Sequence, residues 1–139
     1  MDNYIHKVKY YETDKMGITH HSNYIRWMEE ARVEYMDQMG FGYAKLEKDG
    51  VISPVIGIEC DYRKSTTFDD EVCISADVDS FNGVKLTIRY TMTLSGTGEV
   101  VLTGKSKHCF LSKDGHPISL RREYPEFAET LKSMMVPKE

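Results

Sequence analysis

The chain of 139 residues has no apolar run approaching the roughly 18 to 20 residues that a membrane-spanning helix requires. Its first residues, Met-Asp-Asn-Tyr-Ile-His-Lys, lack the apolar core of a secretion signal. Both absences lead to the expectation of a cytoplasmic protein with no membrane partner. Cysteine is scarce: Cys60, Cys73 and Cys109 are odd in number and far apart in strand-like segments. That argues against a disulfide framework or a metal site and for buried free thiols. Positive charge is also in deficit, since 18 Lys and Arg face 22 Asp and Glu for a formal net charge of −4. This excludes a general nucleic-acid binder but leaves room for a local basic patch that holds a phosphorylated ligand. No internal repeat, low-complexity segment or linker interrupts the chain. What is present, 40% hydrophobic and 29% charged residues, suits one globular domain over residues 1–139, a length too short for two.

Residues 4 to 11 alternate as a strand does, with Tyr4, His6, Val8 and Tyr10 on one face. A loop over 12 to 21 leads into the clearest helix, from about Asn23 to Met39. There Tyr24, Met28, Ala31, Tyr35 and Met39 form one stripe, Trp27 and Met36 widen it, and Arg26, Glu29, Glu30 and Glu34 take the other side. Ser22 or Asn23 is expected to cap the start, and Gly40 with Gly42 to end it. From residue 55 the period becomes that of strands. Ile56, Ile58, Cys60 and Tyr62 face one way over 55 to 63, and Val72, Ile74, Ala76 and Val78 over 71 to 79. Asn82-Gly83 signals a hairpin into a strand at 84 to 94, and Gly96-Thr-Gly98 turns into a last long strand at 99 to 111. An amphipathic helix from Pro125 to Met135 closes the pattern. The expected class is α+β, an antiparallel sheet with one apolar face set against the long helix.

The chemistry concentrates in Tyr11-Glu-Thr-Asp-Lys-Met-Gly-Ile-Thr-His-His-Ser-Asn-Tyr24. One carboxylate, Asp14, precedes the helix start by a few residues. A carboxylate serves as base or nucleophile, and free N–H groups at a helix start hold a carbonyl oxygen as it gains charge, so the pairing suits acyl transfer. Read alone, Asp14 is equally an Asx-turn or capping residue. Gly17 supplies a sharp turn. His21 offers a backbone N–H to an oxyanion or a side chain to orient Asp14, and a capping or core histidine is the competing reading. Adjacent His20 and His21 chelate one ion poorly, and no ligand spacing supports a metal. Arg26 with Glu30 and Glu29 with Arg32 are at helical pairing distances.

Glu12-Thr-Asp-x-Met-Gly17 and His21-x-Asn-Tyr24, followed by Glu30-Ala-Arg32, resemble the 4-hydroxybenzoyl-CoA thioesterase family. The resemblance runs from about Tyr4 to Leu120 and includes Ile58-x-x-x-Tyr62, Phe68-Asp-Asp70 and Asp114-Gly-x-Pro117. It implies the hot-dog fold, a curved antiparallel sheet wrapped around one long central helix. It also implies hydrolysis of an acyl-CoA to free acid and CoA, with Asp14 as catalytic carboxylate and the helix N-terminus near His21 polarising the thioester carbonyl. Gly17, Asn23 and Tyr24 become the substrate-binding residues, and no cofactor is implied. The family assembles as dimers or tetramers with active sites at the dimer interface, so a homo-oligomer, specifically a homotetramer, is expected. Arg63, Lys64, Arg89, Lys105, Arg121 and Arg122 are the candidates for CoA phosphates, and Ser65-Thr-Thr67 for the pantetheine arm. Hydrolysis of acyl groups on acyl carrier protein, hydration of an acyl thioester, and a non-catalytic acyl-CoA-binding module are the rival functions.

Overall fold

The computed structural model describes residues 2–135, so residue 1 and residues 136–139, the ends of the expected domain, lie outside the described residues. The elements are β1 (Tyr4–Lys7), α1 (Ser22–Gln38), α2 (Tyr43–Lys48), β2 (Val51–Ile52), β3 (Val55–Tyr62), β4 (Glu71–Phe81), β5 (Lys85–Leu94), β6 (Val100–Cys109), β7 (Leu111–Ser112), α3 (Leu120–Glu123) and α4 (Pro125–Ser133). A five-stranded sheet has the order β1-β4-β5-β6-β3, and β2 pairs with β7 in a separate two-stranded sheet. The class is α+β with an antiparallel sheet, as expected.

The packing resolves into two compact units, one of residues up to 35, 60–76 and 90–104, the other of 36–59, 77–89 and from 105 on. In the first, the predicted stripe of α1 is buried through Tyr24, Trp27, Met28, Ala31 and Tyr35, together with Val72, Ile74, Tyr90, Met92, Val101 and Leu102 of the strands. Arg32 interrupts that stripe and is buried too; its Nη1 donates to the Tyr90 hydroxyl at 3.2 Å. In the second unit, Phe110 packs edge-on against Phe81 and Phe127, and Phe127 stacks on Phe41. Here Gly83 takes φ +94° at the Asn82-Gly83 hairpin, whose Asn82 Oδ1 accepts the Val84 and Lys85 N–H groups. Its carbonyl then accepts the Leu120 N–H.

Several details depart from the sequence expectations. The first strand stops at Lys7, and Tyr10–Glu12 form a 3-10 turn because the Glu12 carboxylate accepts the Lys9 N–H at 2.7 Å. Tyr10 therefore leaves the buried face. α2 and α3 are additional short helices. Phe110 breaks the predicted last strand, freeing Leu111–Ser112 to pair with Val51–Ile52. The thiols are partly exposed rather than buried, though free. Cys73 and Cys109 alternate with the buried Val72, Ile74, His108 and Phe110, so strand periodicity turns them away from the core. Cys60 lies on β3, an edge of the sheet, where Ile56 and Tyr62 are 51% and 48% exposed.

Candidate active site

The loop between β1 and α1 is built around Glu12. Its carboxylate is buried, 5% exposed, and receives donors on both oxygens. Oε1 accepts the Lys9 N–H at 2.7 Å and lies 2.8 Å from His6 Nε2; Oε2 accepts Trp27 Nε1–H at 2.7 Å. Burial by itself raises the carboxyl pKa, but the bonds from Lys9, His6 and Trp27 together outweigh it and hold the group below its usual value. The other ring nitrogen of His6 is 3.4 Å from Glu30 Oε2. Glu30 thus pairs with β1, not with Arg26 one helical turn away.

Beyond Glu12 the chain forms a narrow excursion closed by a bridge between Thr13 and Thr19 and pinned by a bridge between Ile18 and Thr67. Thr19 is buried against Thr66, with the hydroxyls 2.6 Å apart. At the tip the Gly17 N–H donates to the Asp14 carbonyl at 2.9 Å, and Gly17 adopts φ +79°, the conformation glycine takes without strain. No heavy atom lies within 4 Å of where a Gly17 Cβ would stand, so it is this conformation, not crowding, that requires glycine. Asp14 is exposed at the tip. Its Oδ1 accepts the Met16 N–H at 2.8 Å, an Asx-turn, and its second oxygen has no hydrogen bond among the described residues.

At the helix start, His20 does the capping expected of Ser22 or Asn23: its Nδ1 accepts the Ser22 N–H at 3.3 Å. Asn23 is buried and donates through Nδ2 to the Glu12 carbonyl at 2.9 Å and the His20 carbonyl at 3.2 Å. His21 is exposed, stacked on His20 at 4.3 Å, and its backbone N–H has no hydrogen bond among the described residues. Tyr24 is buried, with its hydroxyl 3.0 Å from Thr66 Oγ1 and its ring 5.7 Å from that of Tyr62. Thr66 is thereby committed to the scaffold.

His21 and Tyr24 meet in a pocket of about 320 Å³, lined also by Ile18, Thr19, Tyr62, Arg63, Lys64 and Ser65. Asp14, Gly17 and Asn23 are not in its lining. Arg63 and Lys64 stand at this pocket, paired with Asp61 at 3.0 Å and Glu99 at 3.0 Å. Arg89 and Lys105 are not in its lining and form ion pairs with Asp77 and Asp79. The Cys60 thiol is pushed up by burial, against a hydrogen bond with Tyr62 that pulls it down, so it is a poor thiolate nucleophile. Burial likewise raises Tyr62, with Cys60 adding to it. Among the described residues no group of His, Cys, Asp and Glu is arranged to hold a metal ion, and no helix is long and apolar enough to cross a membrane.

Sequence reasoning missed Glu12, His6 and Tyr62. His6 carried a signal, its place on the buried face of the first strand. Glu12 had only its place in the motif, since nothing in a sequence says that a glutamate will find three donors.

Residues 8–137 match the family described as the thioesterase-like superfamily. A Bacillus subtilis (strain 168) protein named "Putative acyl-CoA thioesterase YneP" is 34% identical over 122 residues, covering 87% of this chain and 88% of that one. The Haemophilus influenzae "Acyl-CoA thioesterase YbgC" is 26% identical over 81 residues, 58% of this chain and 60% of its own. Among solved structures, a DHNA-CoA thioesterase from Staphylococcus aureus superposes with a TM-score of 0.90 at 32% identity, over 95% of this chain and 89% of that one. The chain belongs to the thioesterase-like superfamily, with its hot-dog fold, and is a thioester hydrolase.

Proposed function

We propose that the protein hydrolyses acyl-CoA thioesters, with Asp14 as the catalytic carboxylate and the His21 N–H as the donor to the oxyanion. The observation that carries this reading is the pairing of two uncommitted groups in one short loop. One oxygen of Asp14 is anchored by Met16 while the other is open, and the His21 N–H at the start of α1 is open beside an aromatic pocket. Asp14 removes a proton from water as the water attacks the thioester carbon, and the carbonyl oxygen becomes an oxyanion held at His21. The C–S bond then breaks, the acid is released, and the CoA sulfur takes up a proton. Direct attack by Asp14 would give an anhydride that water hydrolyses to the same products. Gly17 shapes the turn, Tyr24 walls the pocket, and Asn23 fixes the helix start.

The acyl group is proposed to lie against Tyr24 and Tyr62, and Arg63 and Lys64 are the nearest cations for CoA phosphates. The aromatic walls place aryl thioesters, 4-hydroxybenzoyl-CoA and 1,4-dihydroxy-2-naphthoyl-CoA among them, in the first panel to be tried. Asp14 lies outside the pocket lining of its own chain, which favours a site completed by a second copy. The exposed Ile56 and Tyr62 on the β3 edge offer the surface for such pairing. Ile56→Lys is expected to convert a dimer or tetramer to monomer in size-exclusion chromatography with light scattering, with turnover falling in parallel. The proposed compartment is the cytoplasm, whose reducing conditions suit three free thiols.

The test is thiol release from acyl-CoAs of graded chain length and aryl type, beside the same acyl groups on acyl carrier protein. Turnover of a CoA thioester at least as fast as its carrier-protein counterpart supports the proposal. Turnover confined to carrier protein, or tight CoA-thioester binding with no thiol released, contradicts it.

A further inference from the structure

Glu12 ties together more of this site than any residue assigned a chemical role. Its two carboxylate oxygens take the Lys9 N–H, His6 Nε2 and Trp27 Nε1–H. Its carbonyl takes the His20 N–H at 2.8 Å and Asn23 Nδ2 at 2.9 Å. The first set reaches back to β1 and forward to the second turn of α1. The second set grips the residues next in sequence to His21 or one removed from it. Asp14 follows two residues later, on the turn that Glu12 anchors. We propose that Glu12 is a positioning residue for the thioesterase site, holding the Asp14 turn and the His21 N–H at a fixed separation without touching substrate. This rests on the reading of Asp14 and His21 given above.

The side chain has to be a carboxylate of glutamate length. Three donors converge on two oxygens, and a carboxylate is acceptor-only at both. Glutamine offers one acceptor oxygen, and its NH₂ must face either the Trp27 N–H or the Lys9 and His6 donors. Aspartate is one methylene shorter and cannot span between Lys9 and Trp27. A residue that holds reacting groups in register shows its effect in kcat, because a misplacement of about 1 Å costs up to about 100-fold in rate.

The experiment is a double-mutant cycle between Glu12→Gln and Asp14→Asn, read as kcat and KM for the best acyl-CoA substrate. Melting followed by circular dichroism verifies folding of each protein, including the Trp27→Phe variants, which lack the single tryptophan of the chain. Glu12→Gln is expected to lower kcat by about 10- to 100-fold with KM within about twofold. In the Asp14→Asn background it should lower the residual kcat by a clearly smaller factor, since one of the two groups being positioned is already gone and only the His21 N–H is left to misplace. Adding Trp27→Phe to Glu12→Gln removes the opposed donor and should return kcat toward that of Trp27→Phe alone.

Equal losses from Glu12→Gln in both backgrounds, or wild-type kcat in the single variant, overturn the proposal while leaving the reading of Asp14 intact. Wild-type turnover by Asp14→Asn overturns that reading and this proposal with it. Should Glu12→Gln not fold, Asn23→Ala runs the same cycle, because it removes one of the two donors to the Glu12 carbonyl and spares the carboxylate.

Discussion

Glu12 and Asp14 stand two residues apart, one on the inner side of the loop and one at its outer tip. The inner carboxylate is buried and takes one contact each from the loop, β1 and α1. The outer one is exposed, held by a single N–H at one oxygen and open at the other. A buried carboxylate with donors on both oxygens is turned inward to the scaffold, and removing it strands those donors. An exposed one with one oxygen anchored keeps its direction and still has a lone pair for a proton or an electrophile. The difference teaches that burial and hydrogen-bond count mark the scaffold, and it leaves the less embedded Asp14 as the carboxylate proposed for the chemistry.

Truncating the inner carboxylate should do the greatest damage. Glu12→Ala leaves Trp27 Nε1–H, the Lys9 N–H and His6 without their acceptor, and a loss of about 3–5 kcal/mol of stability is expected in chemical denaturation. A loss below about 1 kcal/mol would show that water replaces the carboxylate freely, and the inner side would then be no more scaffold than the outer.

The contrast also has a pH signature. The pKa of Glu12 is lowered in the folded protein, so the folded state binds fewer protons than the unfolded one as pH drops. Its contribution is therefore full above the ordinary glutamate value of about 4.3 and is lost as pH falls through the lower folded value. Melting of the wild type should decline along this acid limb, and Glu12→Gln should flatten the decline. An unchanged acid limb in the variant would assign the loss to other carboxylates.

The smallest effect belongs to the outer turn. Gly17→Ala meets no steric neighbour and should cost about 1 kcal/mol through its left-handed backbone alone. Turnover is expected to suffer more than stability, because the turn carries Asp14. Equal stability and rate in Gly17→Ala would show that the turn tolerates another backbone.

How much of this was legible in the sequence depended on what each residue had to meet. The α1 stripe was readable because a helix with one buried face repeats its apolar residues at fixed spacing, and Tyr24, Trp27, Met28, Ala31, Tyr35 and Met36 do so. The strands and the Asn82-Gly83 hairpin were readable for the same reason, a local pattern with a local cause. The two-residue strands β2 and β7 were not, because each exists only through a partner some sixty residues away. Alternation along β3 gave its apolar face but not its place at the sheet edge, which leaves Ile56 and Tyr62 exposed. The site divided likewise. His21 and Tyr24 were named through the helix start, and they line one pocket with Tyr62, which was read only as part of a strand's apolar face. Asn23, named for the helix entry and for substrate, donates its amide to the Glu12 and His20 carbonyls, a pairing no local pattern announces. Glu12 stood in the motif without a role of its own, because a buried charge is decided by donors that only folding assembles.

The measurement that bears most directly on this division of labour is kcat of Asp14→Asn on the best CoA thioester, taken beside its melting midpoint. The account predicts a rate lowered by about 100-fold or more with unchanged melting, since the asparagine oxygen can still accept the Met16 N–H. Wild-type turnover in that variant would contradict it.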